Sequence, residues 1–317
     1  MLYHNSMHRK EISDNLQENY EKKPKKRTKK QLLLQIFAII LVTVAGIGAG
    51  FYSGMLYLSS KIPKVDYGAY DADSLRANAQ EILAANSGKS VSQLSAVDAF
   101  VIAQYNTENC PKYISETNSS LHHNFGSQSI YAYGQKFNGT YLFKEISTSS
   151  MKSIANKFLF DGTTILMYSG TPTSKTSAEW SNSYKTMTDE EYKAIYGMHR
   201  YEIVSYIVSE KTISESDTTA TVAGTGKKLS NGNYQFKLSL DTKSSVVNYA
   251  KKIKAESNIS GYPTFYQLDL VFEITPDLKF ASITSIESYS FSYSGIAVTC
   301  SGSIKTDYDY NREPIEA

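Results

Sequence analysis

The sequence predicts an α+β protein: a single-pass transmembrane helix, followed by a domain with a large, strongly curved, mostly antiparallel sheet that a few helices cover. Residues 32–58 carry no charged side chain, which is typical of a membrane span. From Lys112 onward, apolar and polar residues alternate in short runs, and turn dipeptides separate several of these runs. We therefore divide the chain into a basic tail (1–30), a transmembrane helix (31–60) and an extracytoplasmic α+β domain (61–317).

The N-terminal tail is polar, has no sustained apolar period and is predicted to be disordered. It contains nine Lys and Arg against four Asp and Glu, a net charge of +5, whereas the rest of the chain has 24 against 27, a net charge of −3. Because the run KKPKKRTKK directly precedes the apolar segment, we expect it to contact anionic lipid headgroups. Nucleic-acid binding is the alternative for such a run, but a basic run beside a span is more typical of a topology signal, and we expect no nucleic-acid partner.

The apolar segment Leu32–Leu58 is long enough to cross a bilayer. At about 1.5 Å per residue it forms about 40 Å of helix, against about 30 Å of hydrocarbon. Seven basic residues precede it closely and only Lys61 and Lys64 follow, which predicts a cell-membrane protein with its N-terminus in the cytoplasm and its C-terminal domain outside. A cleaved signal peptide is the alternative, since Ala45–Gly50 contains several small residues, but its apolar core usually has only about 7–15 residues.

Three glycines recur at every fourth residue of the predicted span: Gly46, Gly50 and Gly54. Residues four apart lie on one face of a helix, so the glycines form a smooth stripe. Such a stripe lets a second helix approach closely, which predicts a parallel homodimer or a transmembrane partner. The alternative is that glycine is simply frequent in membrane helices.

Two helices are predicted soon after the span. Asp71 or Asp73 caps the first, which ends near Ala85, and Ser90 or Ser92 opens the second. Apolar residues of the second helix recur at intervals of three and four and form a stripe that must pack on another element. They are Leu94, Val97, Val101 and Ile102.

Two further helices are predicted within the strand series. Thr188 and Glu191 have the spacing of a capping box, so a short helix is expected at Asp189–Tyr196, with Gly197 ending it. The segment Thr242–Ser257 has the period of an amphipathic helix.

The remaining chain is predicted to form about eleven strands, and the Asn-Gly and Asp-Gly pairs between some of them favour tight hairpins. The strands are Tyr113–His122, Ser129–Phe137, Thr140–Ser147, Lys157–Phe160, Thr163–Tyr168, Tyr201–Thr212, Thr218–Ala223, Asn233–Leu240, Tyr266–Thr275, Phe280–Tyr293 and Ile296–Tyr308. A sheet of this width curls, and helices must cover its apolar face. We expect an apolar cleft between the two layers. Its candidate lining residues are Val97, Val101, Val247, Ile253, Leu268, Leu270, Phe272 and Ile274.

The order of these elements, from about Asp71 to Tyr310, resembles the lipoprotein-carrier superfamily. The resemblance rests on layout and on strand runs such as QSIYAYGQKFNGTYLFKEIS and YQLDLVFEITPDLKFASITSIESYSFSYSG. It implies a half-barrel that binds acyl chains or serves as a sensor in envelope signalling. This chain departs from the pattern, because an uncleaved span replaces a lipidated Cys or a soluble form, and a tethered protein cannot shuttle.

Cys110 and Cys300 are the two cysteines of the chain, and both follow the span. An even number in an exported domain permits one disulfide, which we favour over the alternative of two buried free thiols. Two cysteines without matched histidines do not form a structural zinc site.

A search of the sequence for catalytic motifs gives no support for an enzyme. Ser149 and Lys152 match S-x-x-K, but the other elements of a penicillin-binding active site occur in the wrong order. His122 and His123 are adjacent on a predicted strand, so their side chains point to opposite faces and do not jointly bind a metal. Nucleotide-binding glycine motifs are absent from the sequence. We therefore predict no enzymatic activity, no cofactor and no metal.

The function predicted from these features is that of a membrane-anchored, extracytoplasmic, non-enzymatic binding or sensor protein for lipid-like or other apolar ligands. The alternative is a structural or assembly protein of the cell envelope that acts through protein–protein contacts. Alternating Tyr289, Phe291 and Tyr293 are typical of a sheet surface, and a glycan or peptide surface is the alternative for them. An apolar pocket favours the binding protein, whereas a filled core favours the structural one.

Overall fold

The computed structural model describes residues 53–54, 56–150, 152–259 and 261–313. The chain divides into two units, and of the first unit only Ser53 and Gly54 are described, both helical and exposed. None of the helices within the described residues has the length and apolar character needed to cross a membrane.

The basic tail and most of the predicted span lie outside the described residues, and so do Gly46 and Gly50 of the glycine stripe. The span, its orientation and the dimer contact therefore stay predictions.

The helices beyond residue 60 are α1 (Ala72–Leu75), α2 (Ala79–Ala85), α3 (Ala96–Asn109), α4 (Asp189–Tyr196) and α5 (Val247–Ser257). Short 3₁₀ turns lie at Tyr67–Ala69, Val91–Gln93 and Glu210–Thr212.

Side-chain caps explain where the first helices begin. The prediction of one helix from Asp71 or Asp73 to about Ala85 is wrong, because the segment forms two helices, α1 and α2. Asn78 starts α2: its side chain accepts hydrogen bonds from the backbone N–H groups of Gln80 and Glu81. The second predicted helix begins at Ala96 rather than after Ser90 or Ser92, because the Ser95 hydroxyl accepts the N–H of Asp98 at 3.1 Å.

The capping box predicted for α4 is confirmed. The N–H of Glu191 donates to Thr188 Oγ1 at 3.2 Å, and the N–H of Thr188 donates to Glu191 Oε2 at 2.8 Å. Gly197, with φ of 79°, ends the helix in the left-handed conformation. Helix α5 begins at Val247, later than predicted, and Asn258 ends it with φ of 52°.

The strands form one sheet in which every described pairing is antiparallel. Their bounds are β1 (Lys112–His123), β2 (Gly126–Phe137), β3 (Thr140–Ser149), β4 (Ile154–Phe160), β5 (Ile165–Pro172), β6 (Ala178–Trp180), β7 (Lys185–Met187), β8 (Lys227–Lys228), β9 (Tyr234–Ser239), β10 (Thr264–Ile274), β11 (Phe280–Tyr293) and β12 (Ile296–Asp309). The order across the sheet is β6-β5-β4-β3-β2-β1-β12-β11-β10-β9-β8, with β7 paired to β5. The sheet is open, and because a sheet of twelve strands is expected to curl, we call its helix-covered face the concave face.

Two predicted strands are wrong. The segments Tyr201–Thr212 and Thr218–Ala223 are irregular apart from a 3₁₀ turn. The N–H of Ile203 bonds to a side chain, Glu108 Oε1, and an Asp217 side chain holds a turn at Thr219, so these backbones do not join a ladder.

The packed core lies where α3 and α5 cover β9 to β12 on the concave face. The ring of Phe100 meets Phe272 and Phe280 edge-on, with centroids 5.2 and 5.0 Å apart. The predicted alternation on β10 is confirmed, because Leu268, Leu270, Phe272 and Ile274 are all buried and the residues between them are not. A smaller cluster joins β4 and β5 to α4 through Phe158, Phe160, Ile165, Tyr192, Tyr196 and Met198.

Candidate functional site

A cavity of about 220 Å³ lies between the concave face of the sheet and a cover made of α5 and residues 198–206. Its floor comes from alternate positions of neighbouring strands, where several side chains are small. Ser115 and Thr117 of β1 face Gly134 and Ala132 of β2, respectively. Because such side chains do not reach the cover, space remains between the layers.

One wall of the cavity carries charge. Lys252 of α5 lies with its Nζ 3.8 Å from Glu145 Oε2 on β3 and 3.8 Å from Glu256 Oε1 one turn along α5. Burial alone would lower the pKa of Lys252, but Glu256 and Glu145 outweigh it and raise that pKa, so the ammonium stays charged. Burial, then the neighbouring Glu145, raise the pKa of Glu256 to about 8.

Arg200 completes this wall. Its guanidinium lies over the ring of Phe143, with Cζ 4.5 Å from the centroid, and Nη1 donates to Tyr192 Oη at 2.9 Å. Its Nε–H is buried and has no hydrogen-bond partner among the described residues. A buried donor without an acceptor is costly, so this atom marks a place where an acceptor belongs.

The backbone around Arg200 is held by carboxylates. Asp189, the first residue of α4, accepts the N–H of Arg200 at 2.8 Å and contacts His199 Nδ1 at 2.6 Å. Glu202 accepts the N–H of His199 at 2.8 Å and pairs with Arg76 at 2.7 Å. The irregular segment is therefore fixed by side-chain hydrogen bonds, and it presents Arg200 to the cavity.

The wall near β11 and β12 is mainly apolar and aromatic, with Ser285 and Thr306 as its polar residues. It contains Leu121 of β1, Ile283 and Phe291 of β11, Ile304 of β12 and Ile253 of α5. In the strand order, β3 is four strand spacings from β11, which is about 19 Å when measured along the sheet. The cavity thus has a charged end near β3 and an apolar end near β11 and β12.

A buried carboxylate lies beside the apolar end. Glu287 of β11 is 1% exposed, and its Oε1 accepts a hydrogen bond from Tyr249 Oη at 2.9 Å. Ser285 Oγ donates to the other oxygen at 3.5 Å. Burial raises the pKa of Glu287 to about 7, although both hydrogen bonds oppose the shift. Nothing in the local sequence distinguishes this glutamate from the exposed ones on other strands.

The predicted cleft residues lie mostly in the core. Val97, Val101, Val247, Leu268, Leu270, Phe272 and Ile274 are all buried in the packed core and do not line the cavity, whereas Ile253 does. The expectation of an apolar cleft at those seven positions is therefore corrected, because α3 fills the space above β9 and β10. The interpretation of Tyr289 and Phe291 as residues of the sheet surface is also wrong, because Tyr289 is buried and both side chains line the cavity.

The predicted disulfide between Cys110 and Cys300 is wrong, because both thiols are free and buried. Cys300 pairs across strands with His123, the last residue of β1, whereas Cys110 lies two residues before Lys112, the first residue of β1. The length of β1 separates them by roughly 36 Å, and a disulfide needs Cα atoms within about 7 Å.

Other candidates for chemistry have structural roles. Ser149 Oγ donates to the carbonyl of Lys152, and Lys152 Nζ contacts the carbonyls of Glu256 and Ser257 at the end of α5 at 3.5 and 3.3 Å. The part of the chain that the structure describes holds no group of three or more His, Cys, Asp or Glu residues that could bind a metal ion.

Comparisons with known proteins give similarity only at the level of layout. Neither a family model nor a curated protein matches the chain. A DUF1329 family protein from Desulfovibrio piger is similar in structure, with 10% identity over 70% of this chain and 95% of its own, at a TM-score of 0.26. A LolA superfamily protein from Nitrosomonas europaea is also similar in structure, with 7% identity over 70% of this chain and 96% of its own, at a TM-score of 0.23. The structural neighbours thus include the superfamily that the strand layout resembles.

Proposed function

We propose that this protein is a membrane-anchored, extracytoplasmic, non-enzymatic binding protein that takes a small, largely apolar molecule into the cavity beneath α5. The cavity of about 220 Å³ carries the proposal. A dry cavity of about 150 Å³ already accepts benzene, whereas pockets for drug-sized ligands have about 300–1,000 Å³. A ligand between these sizes fits, such as a short acyl chain.

The lining contains both apolar and polar residues, and its apolar part supports a ligand with a hydrocarbon portion over a purely polar one. Leu121, Ile283, Ile304 and Phe291 offer hydrocarbon contact over the sheet, and Tyr249 and Ile253 offer it from the helix. Burying apolar ligand surface against such walls contributes about 25 cal/mol per Å². The structural or assembly role is disfavoured because it would need no such cavity.

Mass spectrometry of small molecules that co-purify with the full-length protein tests this function. We expect an apolar compound in wild type and its loss in Ala132→Trp, because the indole would occupy the floor of the cavity. Asn118→Trp is the matched control, since Asn118 lies on the neighbouring strand but is exposed on the opposite face. Equal recovery from both folded variants would refute the proposed binding site.

The membrane anchor is supported by the uncharged segment Leu32–Leu58 and by the seven basic residues before it. Anchoring favours a sensor or a local receptor over a shuttle, because a tethered domain stays at its membrane. Reporters fused after Ala317 test the topology: alkaline phosphatase should be active and green fluorescent protein dark. The opposite pattern would place the domain in the cytosol and remove this part of the proposal.

A further inference from the structure

We infer that the ligand of this cavity carries an acidic head group, a carboxylate or a phosphate, which binds between Arg200 and Lys252. This inference rests on the proposed binding function and adds the chemical class of the ligand. It depends on three features of the charged wall: an unused donor, a guanidinium without an ion pair and the convergence of two cations.

The unused donor is the Nε–H of Arg200. Arginine presents its N–H groups in a rigid fork that matches a carboxylate or a phosphate. Here Nη1 is engaged with Tyr192, while Nε is buried without a partner in the wall of the cavity. An anionic oxygen is the acceptor that forms the strongest hydrogen bond with such a group.

The Arg200 guanidinium has no ion-pair partner among the described residues. The carboxyl groups that line the cavity lie elsewhere: Glu145 and Glu256 are nearest to Lys252, and Glu202 is paired with Arg76. Burial and the neighbouring Glu145 raise the pKa of Glu256, so this carboxyl competes less strongly with an incoming anion.

The two cations converge on one aromatic ring. Arg200 Cζ lies 4.5 Å and Lys252 Nζ lies 5.7 Å from the centroid of Phe143. The contacts of Lys252 with Glu145 and Glu256, both 3.8 Å, are longer than the roughly 2.7–2.9 Å of a charge-assisted hydrogen bond. An incoming anion can therefore approach the ammonium without breaking a short ion pair.

The apolar end of the cavity gives the ligand its direction. A head group at Arg200 and Lys252 leaves a hydrocarbon tail pointing along the floor, past Thr117, toward Ile283 and Ile304. A cationic head group is disfavoured at the charged end, because it would lie beside two cations.

The test is a binding titration of the full-length protein, stripped of bound molecules and kept in a detergent-free polymer. The probes share one chain length and differ in head group: octanoic acid, octyl phosphate, 1-octanol and octylamine. We expect either acid to bind at least about tenfold more tightly than octanol, because a charge-assisted hydrogen bond is gained. Octylamine should bind most weakly. The tighter of the two acids identifies the head group as carboxylate or phosphate.

Variants locate the head group. Arg200→Gln should weaken binding of the better acid about tenfold and leave octanol unchanged. Lys252→Met is a second variant with the same expectation, should Arg200→Gln fold poorly. Lys157→Gln is the matched control, because it removes a positive charge that lies over Tyr168 and outside the cavity lining.

The outcomes separate the two proposals. If octanol binds as tightly as the acids, or octylamine binds best, the acidic head group is refuted. In that case loss of all binding in Ala132→Trp would still support the cavity as the binding site. If none of the probes binds, both proposals fail.

Discussion

The two halves of the concave face differ in how their helices cover them. Over β9, β10 and the start of β11, the 14-residue helix α3 packs Phe100 against Phe272 and Phe280, and the space is filled. Over β1 to β3 and the adjoining parts of β12 and β11, the cover is α5 and an irregular segment, and a cavity remains. The same sheet thus has a packed core on one side and a cavity on the other.

Side-chain size explains this difference. Inward positions of β10 hold Leu268, Leu270, Phe272 and Ile274. The middle of the inward face of β1 and β2 holds the small residues Ser115, Thr117, Ala132 and Gly134, between larger ones such as Tyr113, Leu121 and Ile130. Large side chains fill the gap of about 10 Å between packed layers, but small ones leave it open. The comparison teaches that the half with the weaker apolar pattern is the half that keeps a cavity.

Truncation in the filled half should have the largest effect. Phe272→Ala removes a ring that is fully buried and should lower the free energy of unfolding by about 3–5 kcal/mol. Phe291→Ala, at the wall of the cavity, should cost less than half as much, because the space beside it is already open. Urea unfolding followed by circular dichroism measures both, and equal losses would contradict the contrast between the halves.

The buried carboxyl of Glu287 should make stability depend on pH. Its pKa rises from an ordinary value near 4.5 to about 7 on folding, so its favourable contribution is complete below pH 4.5 and is lost as the pH rises through 7. The shift corresponds to roughly 3 kcal/mol. Tyr249, Ser285 and Tyr206 face this group, and none of them titrates in that range.

Glu287→Gln provides the measurement. The amide cannot ionise and can still accept the hydrogen bond from Tyr249, so the variant should match wild type at pH 5 and exceed it in stability at pH 8. Unfolding curves at several pH values test this. Glu108 and Glu256 also have raised pKa values, so some pH dependence should remain in the variant, and an unchanged slope would contradict the assignment.

Loss of the α4 cap should have a smaller effect, confined to the open half. Thr188→Ala removes the side-chain cap and should cost about 1 kcal/mol of stability. Because Asp189 in the first turn holds the backbone of Arg200, ligand binding should weaken as well. Thr171→Ala, on the exposed face of β5, is the control for the loss of a threonine. If Thr188→Ala binds the ligand as tightly as wild type, α4 does not position Arg200 for binding.

Treatment of the protein with a reducing agent should not change its stability. Because Cys110 and Cys300 lie at opposite ends of β1, a reducing agent should leave the unfolding midpoint unchanged. Thiol titration of the denatured, unreduced protein should return two free thiols. A return of none would show a bridge that this fold does not permit.

The sequence predicted the strand framework well because alternation and turn dipeptides are local signals. Nine of the eleven expected strands exist, and Asn138 and Gly139 form the expected hairpin turn with positive φ. The strand predicted at Tyr201–Thr212 failed, because its polar backbone groups pair with distant residues such as Glu108 and Ser245. Long-range pairing of this kind has no local signature.

The site itself was harder to predict. Periodicity identified which residues are buried, and it was right for Leu268, Leu270, Phe272 and Ile274. It did not show whether a buried residue contacts another side chain or a cavity, because that depends on which helix lies above it. Arg200, Lys252 and Glu145 come from an irregular segment, a helix and a strand, and only folding brings them to one wall.

The amino-acid sequence by itself determined the antiparallel sheet, the cap of α4, the dry face of β10 and the expectation of a membrane anchor, since each follows from neighbouring residues and their spacing. Tertiary structure alone decided that α3 fills one half of the sheet, that the cysteines stay apart and that two cations share a cavity wall. The physical reason is that packing and electrostatics act between atoms that are close in space, and residues up to hundreds of positions apart meet only when the sheet curls.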